Sequence, residues 1–280
     1  MIRSNYHLHS FYCDGHTDIR SYIERAIELG FHSIGMSSHS PVPIKKPYAL
    51  QLKNLSDYLN ELDELKHEYQ GTIEVYSGIE LDFHPDWVGF FEQHLFNQPF
   101  DYIVGSVHYI GNRPDGTPWF FERKASFDEG FHGWYQGDIQ AVVRDYYNII
   151  REMVSLGKVD FIGHIDRFKR QCLDVAGFDE SADWYREEVD QTLKFIAEQG
   201  VMLEINLGGL RHPIQKPYPS VWILKRCKEL GIGLTVNTDG HKLEHLSLGY
   251  SEALGFLNEA GYAEIYRLQN GRWVTYPIDC

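Results

Sequence analysis

Asn5-Tyr6-His7-Leu8-His9 is a short strand-like run that ends in two imidazoles, and its reading sets the reading of the whole chain. In an extended segment, residues two apart point the same way, so His7 and His9 share a face. Six further short apolar runs follow: Ser33 to Ser37, Ile73 to Leu81, Tyr102 to Ile110, Asp160 to His164, Met202 to Leu207 and Leu234 to Thr238. They repeatedly close on a residue able to hold a cation: His39 just past Ser37, then Glu80, His108, His164, and Asp239 with His241, a second i, i+2 pair. Amphipathic stretches lie between them: Ile19 to Leu29, Leu52 to Tyr69, Ile139 to Leu156, Tyr185 to Gln199 and Val221 to Leu230. Each is followed by a glycine suited to a left-handed helix end: Gly30, Gly71, Gly157, Gly200 and Gly231. Strands alternating with helices make parallel βα units, and seven of them favour a closed or nearly closed barrel over an open doubly wound sheet. The C-terminal strand ends of a barrel converge on one face, which gathers these ligand-type residues into one bowl.

One histidine at a strand end is ordinarily a hydrogen-bonded structural group. The same placement at one strand end after another reverses that preference. Neutral imidazole mixed with carboxylate suits zinc, manganese or iron, and the lack of a suitably placed cysteine argues against a closed structural zinc site. The four cysteines, Cys13, Cys172, Cys227 and Cys280, are widely spaced without a CxxC pair and read as reduced thiols.

Composition narrows the partners. The 280 residues carry 26 Lys and Arg against 40 Asp and Glu, a formal charge of -14 whose average field repels a polyanion. That disfavours nucleic acid and favours a small-molecule substrate. Hydrophobic residues make up 43%, enough to bury a core, yet no segment approaches a membrane span and the first residues lack an apolar signal region. The expectation is a cytoplasmic protein with no membrane partner. No linker or repeat interrupts the chain, so 1–280 reads as a single domain.

Taken together and in order, His7-Leu8-His9-Ser10, Cys13-Asp14-Gly15, Ser37-Ser38-His39-Ser40-Pro41, Gly78-Ile79-Glu80-Leu81-Asp82, Gly105-Ser106-Val107-His108-Tyr109, Gly163-His164 and Asn237-Thr238-Asp239-Gly240-His241 resemble the PHP (polymerase and histidinol phosphatase) superfamily. The resemblance implies a distorted (β/α)7 barrel with a trinuclear metal site at the C-terminal ends of the strands. It implies one metal on His7, His9, Glu80 and Asp239, and a second on Glu80, His108 and His164, with Glu80 bridging. A third falls to His39, His241 and either Asp14 or His16. Within the superfamily, the stretches Asn206-Leu207-Gly208-Gly209-Leu210-Arg211 and Tyr218-Pro219-Ser220 are similar to histidinol-phosphate phosphatases of the PHP type. The implied activity is hydrolysis of L-histidinol phosphate with two to three divalent ions. The rival readings are a PHP-type phosphodiesterase or exonuclease and a catalytically silent metal-binding module.

The chemistry expected of such a bowl is in-line attack on phosphorus by a metal-bridging hydroxide held around Glu80 and Asp239. Arg167 and Arg211 are placed to clamp the phosphoryl oxygens. Asp166, His212 and the third metal are candidates to assist the leaving alkoxide. Asp82 and Glu244 are candidates for a substrate ammonium, with solvated surface carboxylates as the plainer reading. The aromatic-rich segment from Gly111 to Gly137 is too long for an ordinary βα loop and either covers the bowl or seals the barrel side.

Overall fold

The computed structural model describes residues 2–278, so Cys280 lies outside the described residues. In chain order its elements are β1 (Ser4–Asn5), α1 (Ile19–Glu28), β2 (Ser33–Met36), α2 (Leu55–Glu68), β3 (Glu74–Asp82), α3 (Val88–His94), β4 (Tyr102–Ser106), β5 (Tyr109–Asn112), β6 (Pro118–Phe120), α4 (Lys124–Gly133), α5 (Ile139–Ser155), β7 (Phe161–Ile162), α6 (Asp183–Gln199), β8 (Met202–Asn206), α7 (Val221–Leu230), β9 (Leu234–Asn237), α8 (Tyr250–Ala260), β10 (Glu264–Gln269) and β11 (Arg272–Pro277).

Seven strands form one parallel sheet in the order β1-β2-β3-β4-β7-β8-β9. Their identity matches the seven apolar runs. The ring is drawn together between β9 and β1 by a single bridge, Leu8 to Gly240, and by side chains. Asn5 Nδ2 donates to Thr238 Oγ1 at 2.7 Å, and the Tyr6 N–H donates to Asn237 Oδ1 at 2.7 Å. Side-chain amides replace a regular ladder there, and β1, two residues long, pairs in register with β2 alone. The barrel is therefore nearly closed and distorted.

The helices start and stop where local chemistry dictates. Asp18 caps α1 by accepting the Ser21 N–H at 2.8 Å, and Asp138 caps α5 through the Ala141 N–H at 3.0 Å. At the far ends of α6 and α7, Gly200 (φ 69°) and Gly231 (φ 73°) take the left-handed conformation that a Cβ would penalise. The outward-facing sides of the strands and the inner faces of the helices merge into one continuous apolar cluster that runs through α1, α2, α5, α6 and α7.

Two antiparallel hairpins add to the seven-stranded sheet. β10–β11 turns at Asn270-Gly271, both at positive φ, and closes the N-terminal end of the barrel. There Trp273 packs edge-on against Tyr6 (5.2 Å) and Tyr102 (6.2 Å), beside buried Tyr76, Phe161, Met202 and Leu268. The other, β5–β6, begins the Gly111 to Gly137 segment, which continues into α4. Trp119, Phe121 and Phe127 of that segment are fully buried, so the aromatics mainly seal the barrel side. Phe120 differs: it stacks on Tyr48 (5.4 Å), whose ring lies 5.1 Å from His39, and so brings the segment against the mouth of the bowl.

Candidate metal centre

At the C-terminal strand ends, nine ligand-type side chains converge in overlapping groups: His9, Asp14, His39 and His241; His7, His164 and Asp239; His7, His9 and Glu80; His39, Glu80 and His108. Glu80, at the heart of the cluster, is buried on the long strand β3. Its Oε1 lies 3.1 Å from His164 Nε2 and 3.3 Å from His7 Nε2, and its Oε2 lies 2.9 Å from His39 Nδ1 and 3.6 Å from His9 Nε2. Asp239 Oδ1 stands 3.2 Å from His9 Nε2. Four donors about 2.1 Å from a zinc ion stand roughly 3.4 Å from one another, the spacing seen here.

The second ring nitrogens are mostly engaged. His7 Nδ1 faces Glu204 at 2.9 Å, His108 Nδ1 hydrogen-bonds Asp82, and His241 Nδ1 meets the Asp239 carbonyl at 2.9 Å. Each leaves an Nε2 directed inward, the arrangement by which an outer carboxylate or carbonyl orients a ligating imidazole. Meanwhile His7 Nε2, His9 Nε2, His39 Nδ1, Asp14 Oδ1 and Glu80 Oε2 are buried with no hydrogen-bond partner. Such a concentration of orphaned polar atoms is costly unless something coordinates them. Divalent cations fit this donor set.

Electrostatics agree. Burial alone drives Glu80 and Asp239 upward, but the surrounding histidines outweigh it, led by His39 for Glu80 and by His7 for Asp239, and both carboxylates sit well below the usual range. His9, buried and flanked by His241 and His39, falls to about 3 and is a neutral donor near pH 7. Backbone strain points to the same place. His164 (φ 29°) and Asp239 (φ 53°) hold left-handed conformations that cost non-glycine residues about 1–3 kcal/mol each and that turn both side chains inward at their strand ends.

The structure separates the two loop candidates. Asp14 Oδ1 lies 3.3 Å from His241 Nε2 and 3.8 Å from His39 Nε2. His16 is not brought into the cluster: its ring is exposed, and its backbone N–H donates to the His241 carbonyl at 2.7 Å, which turns the side chain outward. His9 also sits closer to the third group than the family pattern implied, with its ring stacked 4.0 Å from that of His241.

Arg167 enters the bowl, donating from Nη1 to Asp239 Oδ2 and from Nε to Glu122 Oε2, both at 2.8 Å. Arg211 is not an exposed surface charge. Its Nη1 donates to the Thr238 carbonyl at 2.7 Å and its Nη2 to the Asp239 carbonyl at 2.6 Å, which fixes the segment that presents Asp239. Asp166 is fully buried, and its Oδ2 is taken by Lys169 Nζ (2.6 Å) and the Ser220 N–H (2.9 Å). His212, desolvated and close to Arg170 and Arg167, is pulled down to about 4, so its imidazole is neutral near pH 7. Neither rim acid stands where the substrate reading wanted it. Asp82 is buried behind His108 and His39, and Glu244 is exposed on a surface turn.

Sequence reasoning missed two carboxylates. Glu204, in the middle of β8, receives His7, the His164 N–H (3.0 Å), Asn206 Nδ2 (2.7 Å) and Asn237 Nδ2 (2.9 Å). A lone charge inside the apolar run Met-Leu-Glu-Ile-Asn was the available signal. Glu122 follows β6 in the aromatic segment, and nothing in its neighbours marked it.

Comparison with known proteins agrees with this geometry. The PHP domain family model matches residues 5–207. A Deinococcus radiodurans protein named probable histidinol-phosphatase is 28% identical over 273 residues, 96% of this chain and 95% of the relative. The histidinol-phosphatase of Bacillus subtilis is 28% identical over 279 residues, covering 91% of this chain and 99% of its own. Among solved structures, a histidinol phosphate phosphatase from Lactococcus lactis, complexed with zinc, L-histidinol and phosphate, superposes with a TM-score of 0.74 at 21% identity. It covers 97% of this chain and 98% of its own, a likeness of fold.

Proposed function

The chain belongs to the PHP domain family, and from that premise we propose that it is a metal-dependent phosphomonoesterase that hydrolyses L-histidinol phosphate to L-histidinol and phosphate. One observation carries the reading: nine ligand-type side chains from successive strand ends meet with unpartnered donor atoms in a single buried cluster. The names of the full-length relatives supply the substrate. In this reading residues 1–280 act as one phosphatase domain in histidine biosynthesis. Among the described residues no helix is long and apolar enough to cross a membrane.

His7, His9, Glu80 and Asp239 would hold one ion, Glu80, His108 and His164 a second, and Asp14, His39 and His241 a third. Two to three zinc, manganese or iron ions bound there would supply water activation and neutralisation of phosphoryl charge. The chain's own groups orient the rest. Arg167, held between Asp239 and Glu122, aims its remaining N–H groups at the phosphoryl oxygens, an arrangement already paid for in folding. Arg211 holds the Asp239 segment and lies beside the same oxygens. The imidazole side of the substrate meets the Tyr48 and Phe120 pair near His39. His212 is neutral, so the departing alkoxide draws its proton from elsewhere.

The test is elemental analysis of purified protein followed by phosphate release from a panel of esters. Two to three transition-metal ions per chain are expected. Two polar contacts of roughly 1 kcal/mol or more each should make kcat/KM for L-histidinol phosphate at least about 30-fold higher than for p-nitrophenyl phosphate, despite the poorer leaving group. Full activity in excess chelator after metal removal refutes metal catalysis. A faster reaction with p-nitrophenyl phosphate or a dinucleotide refutes the substrate.

A further inference from the structure

Lys169 is a buried cation that the chemistry of the bowl leaves unused. It lies in the short 3-10 helix Arg167–Cys172 that follows β7, with its side chain 1% exposed. Its Nζ donates to Asp166 Oδ2 at 2.6 Å and to Ser220 Oγ at 2.5 Å, and stands 5.5 Å from the centre of the Tyr218 ring. Asp166 is fully buried, and the same Oδ2 accepts the Ser220 N–H at 2.9 Å. Ser220 passes its own hydroxyl proton on to Glu180 Oε2, which also accepts Trp222 Nε1 at 3.2 Å. The stretch Tyr218-Pro219-Ser220, singled out in the sequence, is thereby anchored from two sides. Tyr218 pairs its backbone with Asn206 at the end of β8 (2.6 and 2.9 Å), and Ser220 is tied to the segment after β7.

That tie joins the two segments that carry arginines into the bowl. Asp166 directly precedes Arg167, whose N–H returns to the His164 carbonyl at 2.8 Å, so Asp166 sits inside the tight turn that carries both an inward imidazole and the guanidinium. Arg211 belongs to the loop that runs from Asn206 to Ser220. Both guanidiniums end on one residue, Arg167 on the Asp239 carboxylate and Arg211 on the Asp239 carbonyl. Away from Asp239, it is Lys169 that links their backbones. Stability is a poor reason for such a pair, because well-packed apolar residues of similar volume often hold a protein together as well as a buried ion pair does. What apolar residues lack is direction. Hydrogen bonds from one ammonium to a carboxylate on one segment and a hydroxyl on the other admit a single relative placement of the two.

We propose that Lys169 is a positioning residue that, through Asp166 and Ser220, sets the separation of Arg167 and Arg211 and so preorganises the phosphoryl clamp. The proposal rests on the phosphatase reading above, in which both arginines meet the phosphoryl oxygens. It gives buried Asp166 an orienting task in place of the assistance to the leaving alkoxide expected from the sequence.

The test uses the metal-loaded protein in three variants: Lys169→Met combined with Asp166→Leu, which exchanges the pair for apolar side chains, Ser220→Ala, and Ser220→Thr. Lys169→Met alone would strand a buried carboxylate and report stability more than position. The double variant should keep its zinc content and most of its Tm. Its inhibition constant for inorganic phosphate should nevertheless rise about 10-fold or more, and kcat/KM for L-histidinol phosphate should fall about 10- to 100-fold, the scale of a clamp displaced by about 1 Å. Ser220→Ala, which removes the far end of the tie and leaves the pair in place, should move both quantities the same way by less, and Ser220→Thr, which keeps the hydroxyl, should restore them. If the folded double variant binds phosphate within about twofold of wild type, the pair only packs and the proposal is wrong. Should the double variant not fold, equal phosphate binding by Ser220→Ala and Ser220→Thr refutes it instead. Loss of zinc in step with phosphate binding places the effect at His164 rather than at the arginines and also overturns it. If wild type neither binds phosphate nor hydrolyses the ester, the phosphatase reading has failed and the proposal falls with it.

Discussion

Replacing Glu204 by Gln should loosen the metal centre without touching a residue that faces it. The carboxylate is held by four donors: Oε1 faces the His164 N–H (3.0 Å) and Asn206 Nδ2 (2.7 Å), Oε2 faces Asn237 Nδ2 (2.9 Å), and His7 Nδ1 is shared between Oε1 (2.9 Å) and Oε2 (3.0 Å). In the glutamine variant the carbonyl can occupy only one of these positions. Its favourable placement is at Oε1, which leaves the amide nitrogen facing the Asn237 amide nitrogen, donor against donor. Asn237 cannot turn over freely, because its Oδ1 already accepts the Tyr6 N–H at 2.7 Å. One charge-assisted bond is lost and one buried N–H is left unsatisfied, a cost of about 1–3 kcal/mol. The neutral amide also orients His7 less firmly, and outer partners of this kind are worth about 10- to 100-fold in metal affinity. Competition titration of metal-free protein with zinc against a chromophoric chelator should show that loss at the tightest affected site, and the metal-free Tm should drop. Zinc affinity within twofold of wild type together with an unchanged Tm refutes the claim that Glu204 orients His7.

Arg211→Ala removes two donors from the Thr238 and Asp239 carbonyls, so it should cost about 1.5–3 kcal/mol of stability and also raise the inhibition constant for free phosphate. An unchanged phosphate inhibition constant with unchanged kcat/KM returns Arg211 to a purely structural role. His212 is held at about 4 against an unfolded value near 6.5, so the unfolded chain binds its proton first as the pH falls. Its contribution to stability is complete above pH 6.5 and is lost from there down towards 4. Thermal melts of His212→Asn across that window should therefore show a shallower decline than wild type, and parallel curves contradict the burial argument.

Much of the fold could be read locally because its cause is local. A strand alternates faces every residue and a helix turns every 3.6, so seven apolar runs, their intervening amphipathic stretches and the glycines after them were visible in a single sequence. The hairpin at Asn270-Gly271 carried a turn signal of the same local kind and was overlooked. Only the first two residues of the β5–β6 hairpin, Tyr109 and Ile110, fall in the run Tyr102 to Ile110 that reads as one strand, and the chain breaks that strand at Val107 and His108 to deliver the histidine into the bowl.

The sequence by itself determined the barrel, its seven strands, the family and the order in which His7, His9, His39, Glu80, His108, His164, Asp239 and His241 arrive at one face. The barrel, the strands and the order follow from spacing within an element or from where an element ends, and the family from the resemblance of the motifs taken together. Only the tertiary structure decided what lies around those residues. It turned Asp14 inward and His16 outward, withdrew Asp82 behind His108, placed Arg167 between Glu122 and Asp239, and set Glu204 behind His7 across 197 positions of chain. Backbone periodicity carries no information over such separations. Those contacts exist because the parallel sheet brings β8 and β9 around to β1, where burial in a low-dielectric interior leaves each carboxylate stable only beside the donor that happens to face it.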